Sequence, residues 1–250
     1  LLFKMNCLHV IAAAFGPVAS PKCWLAVVIT LIFATFGRLV RGVTNSGAAA
    51  GAAVCLALLS GLGWSGFAGL CTVFALTWAA TRFGYARKLS LGTAEPRSGR
   101  NAAQVFANIA VAALCSVGFA VRKDPRLLFA AAAALAEAAA DTASSEIGQA
   151  VGGTPRLLTS WGKVSAGTDG GITVLGTAAG LAAAVIVGAV FVLSETLGST
   201  GLLVITAAAF AGTLADSLLG ATLERFGWIG NNTVNFLSTL VAAAIAFAVS

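Results

Sequence analysis

Eight apolar stretches, each close to the length of a bilayer crossing, follow one another along this chain at 23–40, 42–62, 64–80, 102–121, 127–147, 170–193, 202–223 and 233–249. A helix of roughly 20 residues spans the ~30 Å hydrocarbon layer, and lipid offers the backbone no hydrogen-bond partners, so helices are the only structure that segments of this kind can adopt. The expected fold is all-α, a polytopic transmembrane helix bundle of about eight helices, with seven to nine as the range. A further, partial stretch at 5–19 is short and ends at Pro17 and Pro21. It reads as a re-entrant, interfacial or signal-like piece, so residues 1–22 are set apart from a single transmembrane catalytic domain at 23–250.

Composition agrees, since 58% of residues are hydrophobic and only 10% charged, whereas a soluble globule carries about a quarter charged residues. The 29 glycines suit helices that pack through small side chains, because lipid supplies no hydrophobic force to press them together. The net charge of +6 does not point to nucleic acid. Its lysines and arginines lie between apolar runs rather than along one face with interleaved aromatics, and membrane lipids are the expected surroundings. Arg38, Arg41, Arg82, Arg87, Lys88, Arg97, Arg100, Arg156, Lys163 and Arg225 fall on one side of the alternating topology, and Lys22, Arg122, Lys123 and Arg126 on the other. The first side is expected to be cytoplasmic, in a cell (inner) membrane. The cysteines form no CxxC and read as small buried hydrophobes, and the only histidine is His9, so a histidine base is not expected.

Six of the nine acidic residues, Glu137, Asp141, Glu146, Asp169, Asp216 and Glu224, sit inside or at the ends of apolar runs. An ionisable group there costs ~2.5–3.5 kcal/mol on insertion scales and marks a functional interior. Glu137, Asp141, Ser144 and Gly148 share one helical stripe, with Ser145 and Glu146 beside it. Asp216, Gly220 and Glu224 repeat the pattern at i, i+4 and i+8, with Thr213 and Ser217 adjacent. Hard oxygen donors of this kind suit Mg²⁺, which takes one or two carboxylates together with substrate phosphates and water. The metal set read from the sequence is Asp141, Glu146 and Asp216. Ala140-Asp141-Thr142 and Ala215-Asp216-Ser217 form a faint internal echo, too short to establish a duplication.

Between these helices, Lys163 and then Gly167, Thr168, Asp169, Gly170 and Gly171 lead into an apolar run. Glycines before a helix let backbone N–H groups converge on an anion where the helix dipole is positive. This reads as a phosphate cradle with Lys163 at its rim; it is not a Walker A loop, since no GxxxxGK[ST] occurs.

The blocks Asp141-Thr-Ala-Ser-Ser-Glu146-Ile-Gly148, Gly167-Thr-Asp-Gly-Gly171, Asp216-Ser-Leu-Leu-Gly220 and Asn231-Asn-Thr-Val-Asn235, with Arg100-Asn-Ala-Ala-Gln104-Val-Phe-Ala-Asn108 ahead of them, occur in an order that resembles the integral-membrane family of phytyl-phosphate kinase and transmembrane protein nineteen. Ala166 stands where that family's motif has proline, and Asn232 where many members carry an acid. The resemblance implies a kinase that converts a prenyl monophosphate to the diphosphate with CTP or a related nucleoside triphosphate. On that reading Asp141, Glu146 and Asp216 hold Mg²⁺, Lys163 and the Gly167–Gly171 loop hold phosphates, and Asn231 and Asn235 belong to the substrate site. From the residues alone, a CTP-dependent lipid cytidylyltransferase and a cation- or proton-coupled transporter or flippase remain alternatives.

Overall fold

In the computed structural model, residues 21–250 are described; the partial segment expected at 5–19 lies outside them. Eight α-helices follow in order: α1 Pro21–Leu39, α2 Asn45–Arg82, α3 Tyr85–Ser90, α4 Ala102–Arg122, α5 Arg126–Val151, α6 Val174–Leu193, α7 Ser199–Leu219 and α8 Asn231–Val249. A π-helical turn, Gly220–Glu224, extends α7. A two-stranded antiparallel ribbon between α5 and α6 pairs β1 Arg156–Leu157 with β2 Gly171–Ile172. Among the described residues, seven helices are long and apolar enough to cross a membrane. The architecture is an all-α polytopic bundle, as expected.

Two of the expected crossings, 42–62 and 64–80, turn out to be the legs of α2. Trp78 Nε1 and Arg82 Nη2, at its end, donate to the Val40 carbonyl at 3.1 and 2.6 Å, while Thr44 caps its start by accepting from Gly47 N at 3.2 Å. A straight helix of 38 residues would hold those ends ~57 Å apart, yet the few residues from Val40 to Thr44 reach at most about 14 Å. The chain therefore doubles back inside α2. It does so at Gly63, where φ 60° and ψ −139° is a conformation open to glycine and costly for other residues. Ser116 of α4 braces the reversal, accepting from Leu62 N at 3.3 Å and donating to Ala57 O at 2.9 Å.

At the centre stands α5, packed against α2, α4, α6, α7 and α8. Its stretch from Ala130 to Ala140 is buried on every side, as a helix apolar all round requires, and its small side chains set how closely the others approach. A Cβ on Gly180 of α6 would lie 2.7 Å from Ala140 O, and one on Gly148 of α5 would lie 2.7 Å from Thr173 Oγ1. Glycine spacing thus draws α5 and α6 together as small-residue packing does in membranes. Asn101 and Gln104 start α4 with a capping box, each side chain accepting from the other residue's backbone N–H at 3.1 and 3.0 Å. The preceding loop is stitched to the α1–α2 turn by Thr44 N to Arg100 O at 2.9 Å and Arg100 N to Gly42 O at 3.0 Å. These contacts gather the basic loops at one end of the bundle.

Candidate active site

A polar cavity of about 270 Å³ opens at that end, floored by α5 and α7 and roofed by the α3–α4 and α5–α6 loops. Asp141 and Asp216 line it from the two floor helices and come within reach of a shared hydrogen bond. Arg100 is the cation nearest in effect to Asp141; it also donates to Thr142 Oγ1 at 3.1 Å. Asp169 and Glu224 are neighbours at another part of the wall. One helical turn behind Asp141, Glu137 is 1% exposed and does not line the cavity; it packs against Gly212 and Ser238.

Three buried oxygens on the wall, Ser144 Oγ, Gln149 Oε1 and Asp216 Oδ2, have no hydrogen-bond partner. Buried polar atoms left unpaired are costly and point to a bound ion, water or ligand. The wall carries the carboxylates of Glu95, Asp141, Glu146, Asp169, Asp216 and Glu224 against the guanidiniums of Arg87 and Arg100. Such a surface repels a bare polyphosphate and accepts one whose charge a metal has neutralised.

Most residues singled out from the sequence meet here. Ser144, Ser145, Gly148, Gly167, Thr168, Gly171, Asn231 and Asn235 all line the cavity with the acids, while Asn232 is exposed and does not. Three of the singled-out residues stand apart from that group. Glu146, expected as a metal ligand, lines the cavity and also forms a buried ion pair with Lys88 of α3. The Asp141–Asp216 pair has no such ion-paired partner and by itself lies within the one or two carboxylates that Mg²⁺ takes. Lys163, expected at the cradle's rim, is exposed, forms an isolated bridge with Arg156 and does not line the cavity. Gly220 is buried beneath the loop rather than on the wall. A Cβ there would meet Gly170 N at 2.7 Å, and a Cβ on Gly170 (φ +71°) would meet Ala221 Cα at 2.6 Å. Gly170 is on the wall, but its lack of a side chain is demanded first by backbone contact with the π-helical turn.

The sequence reading missed Arg87, Arg100, Gln104, Asn108 and Gln149 as site residues. Gln104 and Asn108 stand at i and i+4 on one face of α4, a spacing that could have disclosed them; Arg100 precedes the helix and joins them through its bridge to Val43. Asn235 Nδ2 donates to Asn108 Oδ1 at 3.4 Å, linking the start of α8 to α4 across the cavity.

The family model for integral membrane protein DUF92 matches residues 28–243. This chain belongs to the DUF92 family. Among its curated relatives, an uncharacterised membrane protein of Synechocystis is 36% identical over 196 residues, covering 75% of each chain. Protein VTE6, chloroplastic, of Arabidopsis thaliana is 30% identical over 241 residues, 91% of this chain and 72% of its own. A third, from Methanocaldococcus jannaschii, is also an uncharacterised membrane protein, 42% identical over 112 residues, 44% of this chain and 46% of its own. No solved structure matches. In this DUF92 protein the matched span contains every element that builds the cavity, from α2 to the start of α8.

Proposed function

We propose that this DUF92 protein is a membrane kinase that transfers the γ-phosphoryl group of CTP, or of a related nucleoside triphosphate, to a prenyl monophosphate. The observation that carries the reading is the Asp141–Asp216 pair, set without an ion-pairing cation in an acid-rich cavity beside the Gly167–Gly171 loop. The motif order shared with the phytyl-phosphate kinase family supports it, as does the 30% identity to the chloroplast protein. The basic loops around the cavity support a cytoplasmic opening.

Phosphoryl transfer depends mainly on positioning and charge neutralisation. Asp141 and Asp216 would hold Mg²⁺, the unpaired Asp216 Oδ2 being the oxygen left open for it. Mg²⁺ bound there neutralises triphosphate charge, which the carboxylate-rich wall could not do. Arg87 and Arg100 orient phosphate oxygens, and the N–H groups of Gly167 and Asp169 add uncharged donors, those of Thr168 and Gly171 being bonded within the loop. The acceptor is a phosphate, already ionised near neutral pH, so none of these residues needs to remove a proton. An acceptor oxygen bonds to the γ-phosphorus, the bond to the β-phosphate oxygen breaks, and the nucleoside diphosphate leaves.

The test is incubation of the purified protein with Mg²⁺, γ-labelled CTP and prenyl monophosphates of several lengths. Label in a prenyl diphosphate is the expected result. Pyrophosphate release with CMP joined to the lipid would replace the kinase with a cytidylyltransferase. No nucleotide-dependent product with any triphosphate would return the acids to a transport role.

A further inference from the structure

A second cavity, of about 440 Å³, lies between α1, α2 and α4, beside the site described above. Its interior is apolar, built from Phe33, Leu70, Val73, Phe74 and Ile109 with Ala138 of α5. Gly51 leaves open space in its wall, and Gly37 and Gly47 also line it. Its loop-side end is different. Arg41, Arg82, Arg97 and Arg100 line it there, with Glu95 as the single acid. Among the described residues the only ion pairs are Lys88–Glu146 and Arg126–Asp124; Arg100 lies in the field of Asp141 without pairing with it, and Arg41, Arg82 and Arg97 are in no ion pair.

Two of them are held in place by ring stacking, Arg82 at 4.6 Å from the Trp78 centroid and Arg97 at 4.9 Å from that of Tyr85. A guanidinium has five donors. Arg82 spends one on Val40 O and Arg100 one on Thr142, leaving the rest for an anion. Gathering unpaired like charges at the mouth of an apolar cleft is unfavourable unless an anion with an apolar tail occupies it.

The two cavities meet. Glu95, Arg100, Gln104 and Asn108 line both, and the backbone bonds of Arg100 to Gly42 and Thr44 fix that seam. Their charges are opposed, carboxylates dominating one and guanidiniums the other. We infer that the apolar cleft is the acceptor site: the chain of a prenyl monophosphate lies between α1, α2 and α4, and its phosphate sits among Arg82, Arg97 and Arg100 at the seam. This rests on the kinase reading and divides its substrates, metal-bound nucleotide to the acidic cavity and lipid phosphate to the basic one. A cleft of this volume falls within the ~300–1,000 Å³ of small-molecule sites.

The experiment uses the full chain in detergent and geranylgeranyl monophosphate bearing a diazirine at the chain end. Photolysis should attach label to peptides from 33–51 and 70–74. Changing Arg82→Gln together with Arg97→Gln should weaken binding of geranylgeranyl monophosphate at least tenfold, while Mg²⁺–CTP affinity changes less than twofold. Ala48→Phe should weaken the C20 phosphate at least fivefold and leave dimethylallyl monophosphate unchanged. Label confined to the acidic cavity or the lipid-facing surface, binding indifferent to both arginines, or equal displacement by phosphatidylglycerol would each overturn the assignment. Diphosphate formation that persists with those results leaves the kinase standing without this site. Arginine-dependent label in the cleft without any diphosphate product leaves the site standing without the kinase.

Discussion

Two buried ionic arrangements lie within a few turns of each other on α5 and have opposite meanings. Lys88, with 0% of its side chain exposed, places its three donors on Glu146, on Ala80 O at 3.0 Å and on Thr81 O at 2.7 Å. An ammonium has three donors, so the group is fully satisfied. It ties α3 to the last carbonyls of α2, where a cation also suits the helix dipole, and to α5. The Asp141–Asp216 pair sets two acids together with no ion-paired cation, and one of its oxygens is buried and unpartnered. Satisfied charge of the first kind holds α3, which carries Arg87, and with it the start of the loop that leads to Arg100. Unsatisfied charge of the second kind calls for a ligand.

The largest expected effect strikes the satisfied pair. Lys88→Met leaves Glu146 buried and uncompensated and should cost about 3–5 kcal/mol of stability. Lys88→Met combined with Glu146→Leu should recover most of that loss, measured by chemical unfolding in detergent. If the double variant is no more stable than Lys88→Met alone, the pair is not an isolated structural unit, and Glu146 returns to consideration as a site carboxylate.

Next come Asp141→Asn and Asp216→Asn. Each should lower kcat by about 10²–10³-fold, the scale on which removing one charge-stabilising group acts. Each should leave the melting temperature unchanged or raised, because a repulsive neighbour has been neutralised. Turnover within twofold of the unmodified protein at limiting Mg²⁺ would remove the pair from the chemistry. A collapse in stability would make it a structural pair like Lys88–Glu146.

A smaller effect tests occupancy directly. Mg²⁺ with CTP at ten times its dissociation constant should stabilise the protein by ~1.4 kcal/mol through mass action, seen as a rise in melting temperature. Chelation should abolish the rise. Asp216→Asn should lose it too, whereas Lys163→Ala should keep it, since Lys163 does not line the cavity. Loss of the rise in Lys163→Ala would place that lysine back at the phosphates.

How far the sequence discloses this arrangement follows from the range of each interaction. Asp141 and Asp216 are legible because a carboxylate in an apolar run is anomalous within its own helix. Glu146 has the same local signature, but its cation lies 58 residues earlier, and nothing local announces that pairing. Lys163 is close to the glycine loop in sequence but off the cavity wall, because an isolated bridge, separate from the β1–β2 pairing, sets it opposite Arg156. The pair of apolar runs flanking Gly63 is correctly read as two crossings, since glycine there permits the reversal. The mutual contact of Gly170 and Gly220 is invisible, because it arises only when the loop lands on α7.

The smallest expected effect comes from the third ionic pair, at the opposite end of α5. Asp124 accepts from Arg126 Nη2 at 2.7 Å and from Arg126 N at 3.1 Å, an acid placed where the helix dipole favours it. Arg126 is half exposed, with 51% of its side chain accessible, and exposed pairs contribute little. The Arg126 hydrogen bond holds the Asp124 carboxyl below its ordinary range. A depressed carboxyl pKa contributes stability above the unfolded value of ~3.9 and loses it as pH falls through the folded value. Asp124→Asn should therefore give a small deficit in melting temperature at pH 7 that closes as the pH drops below about 4. A deficit as large as that of Lys88→Met, or one that grows toward acid, would show that burial is not what separates these pairs, and the contrast between satisfied and unsatisfied charge on α5 would then need another cause.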